Sequence, residues 1–331
     1  MRTRTISIGG ATYDVFIQLD KDTVTSTQND DAFTFPLGSK IHTQKVIESC
    51  GGGASNTSVG LSRLGCDAGF CGVVSDDQWG EKLLQNLKNE KVDTRCATIV
   101  EEEVSSFSII LTSGSGDRVI LYDPGANKHL HDAIFNKEMV CNAQWMYLNH
   151  IQENSCVIQD DLIEIVTMNK DMGLTWNPGG CQIEAGIKPE NNRKLLSHTN
   201  LLLLNKEEAL KFTEKESVDE AIKALLQAGV TNVCITSGSA GSKASDGKQV
   251  YECPIIKTEN ITDTTGAGDA FGVGASWALM QGRNLPESMQ AGSINAASVV
   301  QYIGAQDGLL TEIEMNEQMK NTQLDVKARP L

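Results

Sequence analysis

The chain has 331 residues, of which 40% are apolar and 21% charged, and its formal net charge at pH 7 is −15. This length and composition are typical of a globular protein, built as one large domain or as a main domain with a smaller appendage. The acidic balance argues against binding to nucleic acid or to an anionic membrane. Because no apolar run approaches the roughly 18 residues of a membrane span and no apolar leader opens the chain, we expect a cytoplasmic protein.

Most of the chain alternates strand-like with helix-like segments. Apolar strands are predicted at 5–10, 67–74, 173–177, 200–205 and 232–238, and helices at 55–65, 75–90 and 218–228. Near-continuous apolar strands that alternate with helices indicate a parallel sheet covered on both faces, which is an α/β fold.

Two segments, 12–50 and 98–122, break this alternation. The second is predicted to form a hairpin around a turn at 113–117, because Phe107, Ile109 and Leu111 recur at the period of a strand. We expect both insertions to form a small β-sheet that covers a cleft as a lid on one domain at 1–315. The end of the chain is predicted to be a short helix followed by a loose C-terminal tail, with the tail at 316–331.

The cysteines and histidines provide no candidate metal site. The nine cysteines stand singly without a Cys-x-x-Cys pair, which favours buried, reduced thiols over zinc ligands or a disulfide framework. The five histidines show no metal-ligand spacing, so none is a candidate site residue.

The string DTTGAGDAFGVGA, residues 263–275, places small residues and an acid at the start of an apolar helix. Free N–H groups at a helix start, made accessible by glycine, form a cradle for an anion at Gly266, Ala267 and Gly268. A carboxylate beside a phosphoryl group is useful if Asp269 takes a proton from an attacking hydroxyl. The alternative is that Asp269 only favours the helix dipole and that the glycines only permit tight packing.

The first nine residues of this string, DTTGAGDAF, closely resemble the C-terminal signature of the ribokinase, or PfkB, carbohydrate kinase family. Further resemblances occur in family order, at 51–65 (GGGASNTSVGLSRLG), 123–127 (DPGAN), 205–208 (NKEE), 235–241 (ITSGSAG) and 304–308 (GAQDG). The resemblance covers about residues 5 to 310. It implies a ribokinase-like three-layer α/β/α sandwich with a mainly parallel central sheet and a β-sheet lid. It also implies an ATP-dependent carbohydrate or nucleoside kinase.

The resemblance implies a role for each matching residue on the phosphoryl-donor side. Asp269 is the expected catalytic base, and the amides of Gly266, Ala267 and Gly268 form the anion hole. Asn205 and Glu208 are expected to organise Mg²⁺ and its waters, since Mg²⁺ usually keeps several waters. The ATP site is implied at Thr236, Gly238 and Gly241, with Asn295 near the adenine. Asp263 and Thr265 match the positions that bind a monovalent cation in K⁺-activated members.

On the acceptor side, Asp14, Gly51, Gly52 and Asn56 match the family's substrate positions. Two alternatives remain open, namely a turn aspartate at position 14 and a helix-capping asparagine at position 56. Asn177 follows a predicted strand, where open α/β sheets bind ligands, although it equally suits a capped turn before a proline. Arg118 begins the second strand of the predicted hairpin, either exposed or reaching for a phosphate.

One position departs from the family pattern and leaves the acceptor open. Gly53 stands where members that act on ribose or fructose phosphate often carry Lys, so the expected acceptor is a nucleoside or a different neutral sugar. The alternative function is a catalytically idle sugar- or nucleoside-binding relative. A dinucleotide-dependent dehydrogenase is disfavoured because the segment SIGGAT lacks the full Gly-x-Gly-x-x-Gly string. By resemblance, a homodimer that forms through free lid edges is also expected.

Overall fold

The computed structural model describes residues 2–20, 24–26, 31–112, 118–131, 140–151 and 158–331. The predicted hairpin turn at 113–117, parts of the polar loop at 21–31, and Cys156 lie outside these residues.

The structure divides into short strands and helices whose order follows the predicted alternation. The strands are β1 (Arg4–Ile8), β2 (Thr12–Gln18), β3 (Val24–Ser26), β4 (Asp31–Phe33), β5 (Lys45–Gly51), β6 (Asp67–Cys71), β7 (Val73–Ser75), β8 (Thr98–Val100), β9 (Phe107–Thr112), β10 (Arg118–Asp123), β11 (Trp145–Leu148), β12 (Gly173–Trp176), β13 (Leu201–Asn205), β14 (Asn232–Thr236), β15 (Ser242–Ser245), β16 (Gln249–Cys253) and β17 (Lys327–Pro330). The helices are α1 (Gly53–Arg63), α2 (Gln78–Asn89), α3 (Ile158–Met168), α4 (Gly180–Ala185), α5 (Glu190–His198), α6 (Lys206–Thr213), α7 (Val218–Gln227), α8 (Ala267–Met280), α9 (Leu285–Val299) and α10 (Glu312–Asn321).

Within the part of the chain that the structure describes, the main sheet has nine strands in the order β17-β16-β15-β14-β13-β12-β11-β1-β6. The strands from β14 to β6 pair in parallel, whereas β15, β16 and β17 add antiparallel pairs at one edge. The predicted mainly parallel central sheet is therefore confirmed. Because parallel strands all end at the same edge, the loops that follow β1, β11, β12 and β13 meet on one side of the molecule.

Side chains of successive strand residues point to opposite faces of the sheet and build a core on each face. Leu148 and Leu204 pack in the cluster that includes residues of α3, α5, α6 and α7. Their neighbours Tyr147 and Leu203 pack in the cluster that includes residues of α1, α8, α9 and α10. This arrangement is the predicted three-layer sandwich, and it explains why the strands are apolar at nearly every position.

A second sheet, with strand order β10-β9-β2-β5, forms the lid. Strand β2 pairs in parallel with β9 and antiparallel with β5, so Asp14 lies between Ser108 and Ser49. The strand periodicity predicted at 105–112 is present, but Ser108 and Ile110 are the buried positions while Phe107 and Ile109 are only half-buried. The inner face of the lid is thus partly polar. The division into one domain at 1–315 with two insertions stays a prediction.

The C-terminal residues differ from the predicted loose tail. Residues 327–330 form the edge strand β17, which pairs with β16 from Gln249↔Pro330 to Glu252↔Lys327. All four residues are exposed, so the strand is held by backbone hydrogen bonds rather than by apolar side chains. A strand of this kind has no hydrophobic periodicity, which is why the sequence pattern gave no sign of it.

Two further features concern the thiols and the membrane. Among the described residues, no disulfide joins the thiols of Cys50, Cys66, Cys71, Cys96, Cys181, Cys234 and Cys253. Among the helices that the structure describes, none is long and apolar enough to cross a bilayer.

Candidate active site

The first turn of α8 is shaped by glycine. Gly266 caps the helix with φ 75° and ψ 0°, a left-handed conformation that favours glycine. A Cβ atom on Gly266 would also lie 2.3 Å from the Cβ of Ala305. A Cβ on Gly268 would meet nothing within 4 Å, so this residue borders open space. The amide of Ala267 makes a long bond of 3.3 Å to Thr264 O. The N–H groups of this turn lack acceptors one turn back in the helix and can bind an anion.

Asp269 lies in the first turn of α8 and is held by a residue of α1. The Asn56 Nδ2 group donates to Asp269 Oδ2 over 2.8 Å. The carboxyl group is half-buried, and removal from water raises its pKa, while the Asn56 bond and the charge of His150 oppose that rise. A carboxyl group with a raised pKa at an open helix start is suited to accept a proton.

Gln306 completes a polar chain behind Asp269 that the sequence reasoning did not predict. Its Nε2 group donates to Asn56 Oδ1 over 3.1 Å and to Ser55 Oγ over 3.0 Å. Its Oε1 atom accepts from Asn86 Nδ2 of α2 over 2.8 Å. Because Gln306 donates to the oxygen of the Asn56 amide, the chain Asn86–Gln306–Asn56 directs the NH₂ end of that amide towards Asp269. The only sequence signal was the position of Gln306 within the GAQDG segment.

His150 is a second residue that the sequence reasoning missed. It lies two residues after the end of β11 and is exposed. The charge of His150 lowers the pKa of Asp269. His150 also lines a cavity of about 620 Å³ with Asn205, Glu208 and Lys211. The available signal was its place at the carboxyl end of a parallel strand, where ligand sites occur in such sheets.

Asp14 is the buried acid of the lid. Its side chain accepts a hydrogen bond from Ser108 Oγ on β9. Burial raises the pKa of Asp14 from 3.8 to about 6, and the charge of Asp263 adds to this rise. A Cβ atom on Gly51 would lie 2.2 Å from Asp14 Oδ2, so only glycine leaves room for this carboxyl group. Asp14 is therefore a buried carboxyl group next to Gly51, not a turn aspartate at an exposed strand edge.

The glycines after β5 bring the start of α1 against the turn that follows β1. Gly52 has φ 88°, and a Cβ atom there would lie 2.6 Å from Ala11 Cα. A Cβ atom on Gly53 would lie 3.1 Å from the Cβ of Asn149, which is tight. Asn149 is fully buried and bonds to Thr57 Oγ1, so it has little freedom to move away. This packing explains why position 53 is glycine in this chain, where the family signature often has lysine.

Asn205 and Glu208 form a capping box at the start of α6. The Asn205 Oδ1 atom accepts from Glu208 N over 2.9 Å, and Glu208 Oε2 accepts from Asn205 N over 2.8 Å. The box uses one carboxylate oxygen of Glu208, and oxygen is the ligand type that Mg²⁺ prefers. Among the described residues no group of three or more His, Cys, Asp or Glu could hold a metal ion. These residues fit a magnesium ion that is contacted through its waters.

The loop after β14 borders a cavity of about 530 Å³ that Ser237, Ala240 and Gly241 help to line. Gly241 has φ 87°, and a Cβ atom there would lie 2.3 Å from Cys253 O. Gly238 has φ 53° and borders open space, and Thr236 is the half-buried last residue of β14. The loop therefore approaches the cavity with bare backbone, as the predicted ATP site requires.

Two other predicted residues have their side chains engaged within the fold. Asn295 is fully buried, where its Nδ2 group donates to Ala270 O and its Oδ1 atom accepts from Leu310 N. Buried between α8 and the chain before α10, it cannot contact an adenine, which corrects the assignment made from the sequence. The Asn177 Nδ2 group donates to Leu203 O over 3.0 Å, which links the ends of β12 and β13.

Asp263 and Thr265 lie in the loop before α8 and contact each other. Asp263 Oδ1 accepts from Thr265 Oγ1 over 2.8 Å and from Thr265 N over 3.0 Å. Arg118 of the lid also bonds to Asp263 Oδ1, over 2.8 Å. Arg118 therefore reaches the loop that leads into the first turn of α8.

The chain is similar in sequence to carbohydrate and nucleoside kinases. The model of the pfkB family of carbohydrate kinases matches residues 22–312. An uncharacterized sugar kinase of Archaeoglobus fulgidus is 28% identical over 77% of this chain and 100% of its own length. A nucleoside kinase of Methanocaldococcus jannaschii is 28% identical over 82% of this chain and 85% of its own length.

Among solved structures, the ribokinase of Arabidopsis thaliana in complex with ribose and ATP superposes with a TM-score of 0.81. It is 22% identical, and the match covers 97% of this chain and 99% of that one. This likeness confirms the ribokinase-like fold. Because the family model also spans most of the sequence, the chain belongs to the pfkB family of carbohydrate kinases, and it is a kinase.

Proposed function

We propose that this protein transfers the γ-phosphoryl group of ATP to a hydroxymethyl group of a sugar or a nucleoside. The observation that carries the proposal is the pairing of Asp269 with the open first turn of α8. One carboxylate oxygen of Asp269 is held by Asn56 at 2.8 Å, which leaves the other oxygen available to accept a proton. An anion-binding turn and a proton acceptor three residues apart are what in-line phosphoryl transfer requires.

The proposed reaction uses few protein groups. The acceptor oxygen attacks the γ-phosphorus while its proton moves to Asp269, and the bond between the γ-phosphorus and the bridging oxygen breaks to release ADP. Amides of the turn that begins at Gly266 stabilise the charge on the transferring group. The raised pKa of Asp269 brings its proton affinity nearer to that of the attacking hydroxyl.

The acceptor is expected to bind between the lid and the start of α1. Asp14 supplies a carboxylate for substrate hydroxyls, Gly51 leaves room for that carboxyl group, and Gly52 lets the start of α1 approach Ala11. Since no lysine stands at position 53, the acceptor is expected to be a nucleoside or a neutral sugar rather than a sugar phosphate. The names of the two relatives, a sugar kinase and a nucleoside kinase, agree with either acceptor.

ATP is proposed to bind at the loop after β14 and to extend its phosphates towards the first turn of α8. Lys206, Lys243 and Lys327 line the cavity beside this loop together with Glu252 and Asp325. Because Lys243 is already paired with Asp219 and Glu252, Lys206 and Lys327 are the lysines that supply local positive charge in a protein whose net charge is −15. Magnesium, held through waters near Glu208, would neutralise charge on the donor phosphates.

A homodimer that pairs through the lid is part of the proposal. Strand β10 is an edge strand of the lid, and all six of its residues are exposed. Val119, Leu121 and Val46 lie on the outer face of this sheet with exposed fractions of 41%, 52% and 53%. An apolar face beside a free strand edge favours pairing with a second copy of the chain. Light scattering of the purified protein would give its mass in solution, and a monomer would contradict this part.

The decisive experiment is an ADP-release assay with ATP, Mg²⁺ and a panel of sugars and nucleosides. Turnover with at least one acceptor is expected for the wild type. The Asp269→Asn variant keeps an oxygen that can accept from Asn56, so it should fold and bind ATP while its kcat falls by about 10²- to 10⁴-fold. Glu190→Gln, the same change in the first turn of α5, is the control and should leave turnover unchanged.

Two outcomes would contradict the proposal. Near-normal turnover of Asp269→Asn would exclude this residue as the base. Binding of sugars or nucleosides without ADP release from any of them would favour a catalytically idle binding protein instead.

A further inference from the structure

The ion pair between Arg118 and Asp263 joins the lid to the body of the enzyme. Arg118 is the first residue of β10, and its guanidinium donates to Asp263 Oδ1 over 2.8 Å although the two residues are 145 positions apart. The Asp263 side chain is only 8% exposed and that of Arg118 is 32% exposed. The same guanidinium nitrogen lies 3.4 Å from Thr264 Oγ1. The pair is thus partly shielded from water.

Both oxygens of the Asp263 carboxylate accept hydrogen bonds from protein donors. Oδ1 accepts from Thr265 N and Oγ1 in addition to Arg118, and Oδ2 accepts from Gly304 N over 3.1 Å. Each carboxylate oxygen offers about two lone-pair sites, so the three donors saturate Oδ1, while Oδ2 has one donor. A potassium ion requires free oxygen lone pairs, and Oδ1, which Arg118 and Thr265 share, has none left for the monovalent cation that the family resemblance implies.

We propose that Arg118 is a built-in counter-ion of Asp263 and takes the place of a monovalent metal ion, so that the enzyme works without K⁺. The guanidinium supplies one positive charge at Asp263 Oδ1, the oxygen that also accepts from Thr265 Oγ1. Unlike K⁺, this charge arrives only when β10 of the lid lies over the loop before α8. Closure of the lid and neutralisation of Asp263 are therefore one event.

The charge state of Asp263 affects the anion-binding turn, because Asp263 holds the segment that packs against that turn. Its Oδ2 atom bonds to Gly304 N, and the next residue, Ala305, packs directly against Gly266 at the start of α8. The charge of Asp263 also acts on the acceptor site, where it contributes to the raised pKa of Asp14. Arg118 is therefore a positioning residue that acts on both substrates through Asp263.

The test compares the wild type with Arg118→Met, which keeps the apolar part of the side chain but not the charge. Arg118→Lys retains a cation, and Arg95→Met, which removes an exposed arginine paired with Asp93, is the matched control. Thermal unfolding without substrates is measured in KCl and in choline chloride at equal ionic strength. We expect a K⁺-specific rise in Tm for Arg118→Met only, with no difference between the two salts for the other three proteins.

ADP release provides the second readout and rests on the proposed function. Wild-type kcat should be equal in the two salts. In choline chloride, the kcat of Arg118→Met should be about 10- to 100-fold lower, because a misplaced anion hole loses orientation, while the KM for ATP changes little. KCl should restore most of this loss.

The outcomes separate the two proposals. A wild type whose Tm or kcat requires K⁺ would overturn the inference, as would an Arg118→Met variant that is unaffected or that K⁺ does not rescue. If no acceptor supports ADP release, the proposed function fails, but the comparison of Tm values in the two salts still decides the role of Arg118.

Discussion

Asp14 offers the sharpest test of the electrostatics of this site, because its burial opposes its ionisation. The change Asp14→Asn is isosteric, and an amide oxygen can still accept the hydrogen bond from Ser108 Oγ. The variant removes only the charge of the buried carboxyl group. We therefore expect it to stabilise the fold and to weaken acceptor binding, since the site uses that charge.

The magnitude follows from the pKa of Asp14, which rises from 3.8 to about 6 on folding. Since one pKa unit corresponds to about 1.36 kcal/mol, the ionised carboxylate destabilises the fold by about 3 kcal/mol at pH 8. Between the two pKa values the folded protein holds a proton that the unfolded chain has lost, so stability falls as the pH rises. At pH 5 the same relation gives a destabilisation of the fold by about 2 kcal/mol.

The assay is urea unfolding of wild type and Asp14→Asn at pH 5 and pH 8. The variant should be more stable at both values, and its advantage should grow by about 1 kcal/mol over this interval. Glu190→Gln is the control, because the pKa of that exposed carboxyl is lowered by Lys194 and its loss should not stabilise the fold at pH 8. A variant no more stable than the wild type at pH 8 would refute the reasoning about burial.

The variant Asp14→Asn should also bind the acceptor more weakly than the wild type. A hydrogen bond to a charged group is worth about 1.5–3 kcal/mol, so the KM for the acceptor should rise about 10- to 100-fold in Asp14→Asn. The KM for ATP should change little. Equal acceptor KM values in the two proteins would remove Asp14 from the acceptor site, even if the change in stability were as expected.

Two further predictions concern the cleft and the core. His150→Gln removes the charge that lowers the pKa of Asp269, so the acidic limb of the pH–rate profile should move to higher pH, whereas His198→Gln should not move it. An unmoved limb in the first variant would separate His150 from the base. Gly272→Ala places a Cβ atom 1.9 Å from a buried tyrosine hydroxyl and should lower stability by about 1–3 kcal/mol or more, while Gly180→Ala, with nothing within 4 Å, should be neutral. Equal unfolding midpoints for the two glycine variants would contradict this account of the packing of α8.

Features of the site whose residues are close together in the sequence were predictable, whereas contacts between residues far apart in the sequence were not. The first turn of α8 is contained in one short string, so the turn and the place of Asp269 in it were predictable from local chemistry. The pairing of Asp269 with Asn56 joins residues 213 positions apart, and the bond from Gln306 to Asn56 joins residues 250 apart. The resemblance placed Asn56 in the site, but nothing local indicated either bond.

Burial was the second quantity that local patterns did not provide. Asn295 was expected near the adenine, yet it lies buried with both ends of its amide engaged by the backbone. Whether an asparagine faces a ligand or the core depends on helix packing, which a single position does not reveal. The same holds for the lid, where Ser108 rather than Phe107 is the buried position because the inner face surrounds Asp14.

The α/β fold, the family and the anion-binding turn were predictable from the amino-acid sequence, because hydrophobic periodicity and glycine-rich strings act over a few residues. The partners of the charged groups depended instead on the tertiary structure. It paired Arg118 of the lid with Asp263, placed His150 where its charge lowers the pKa of Asp269, and added residues 327–330 to the edge of the central sheet. These contacts depend on backbone pairing and on desolvation between distant segments, and neither leaves a periodic pattern in the chain.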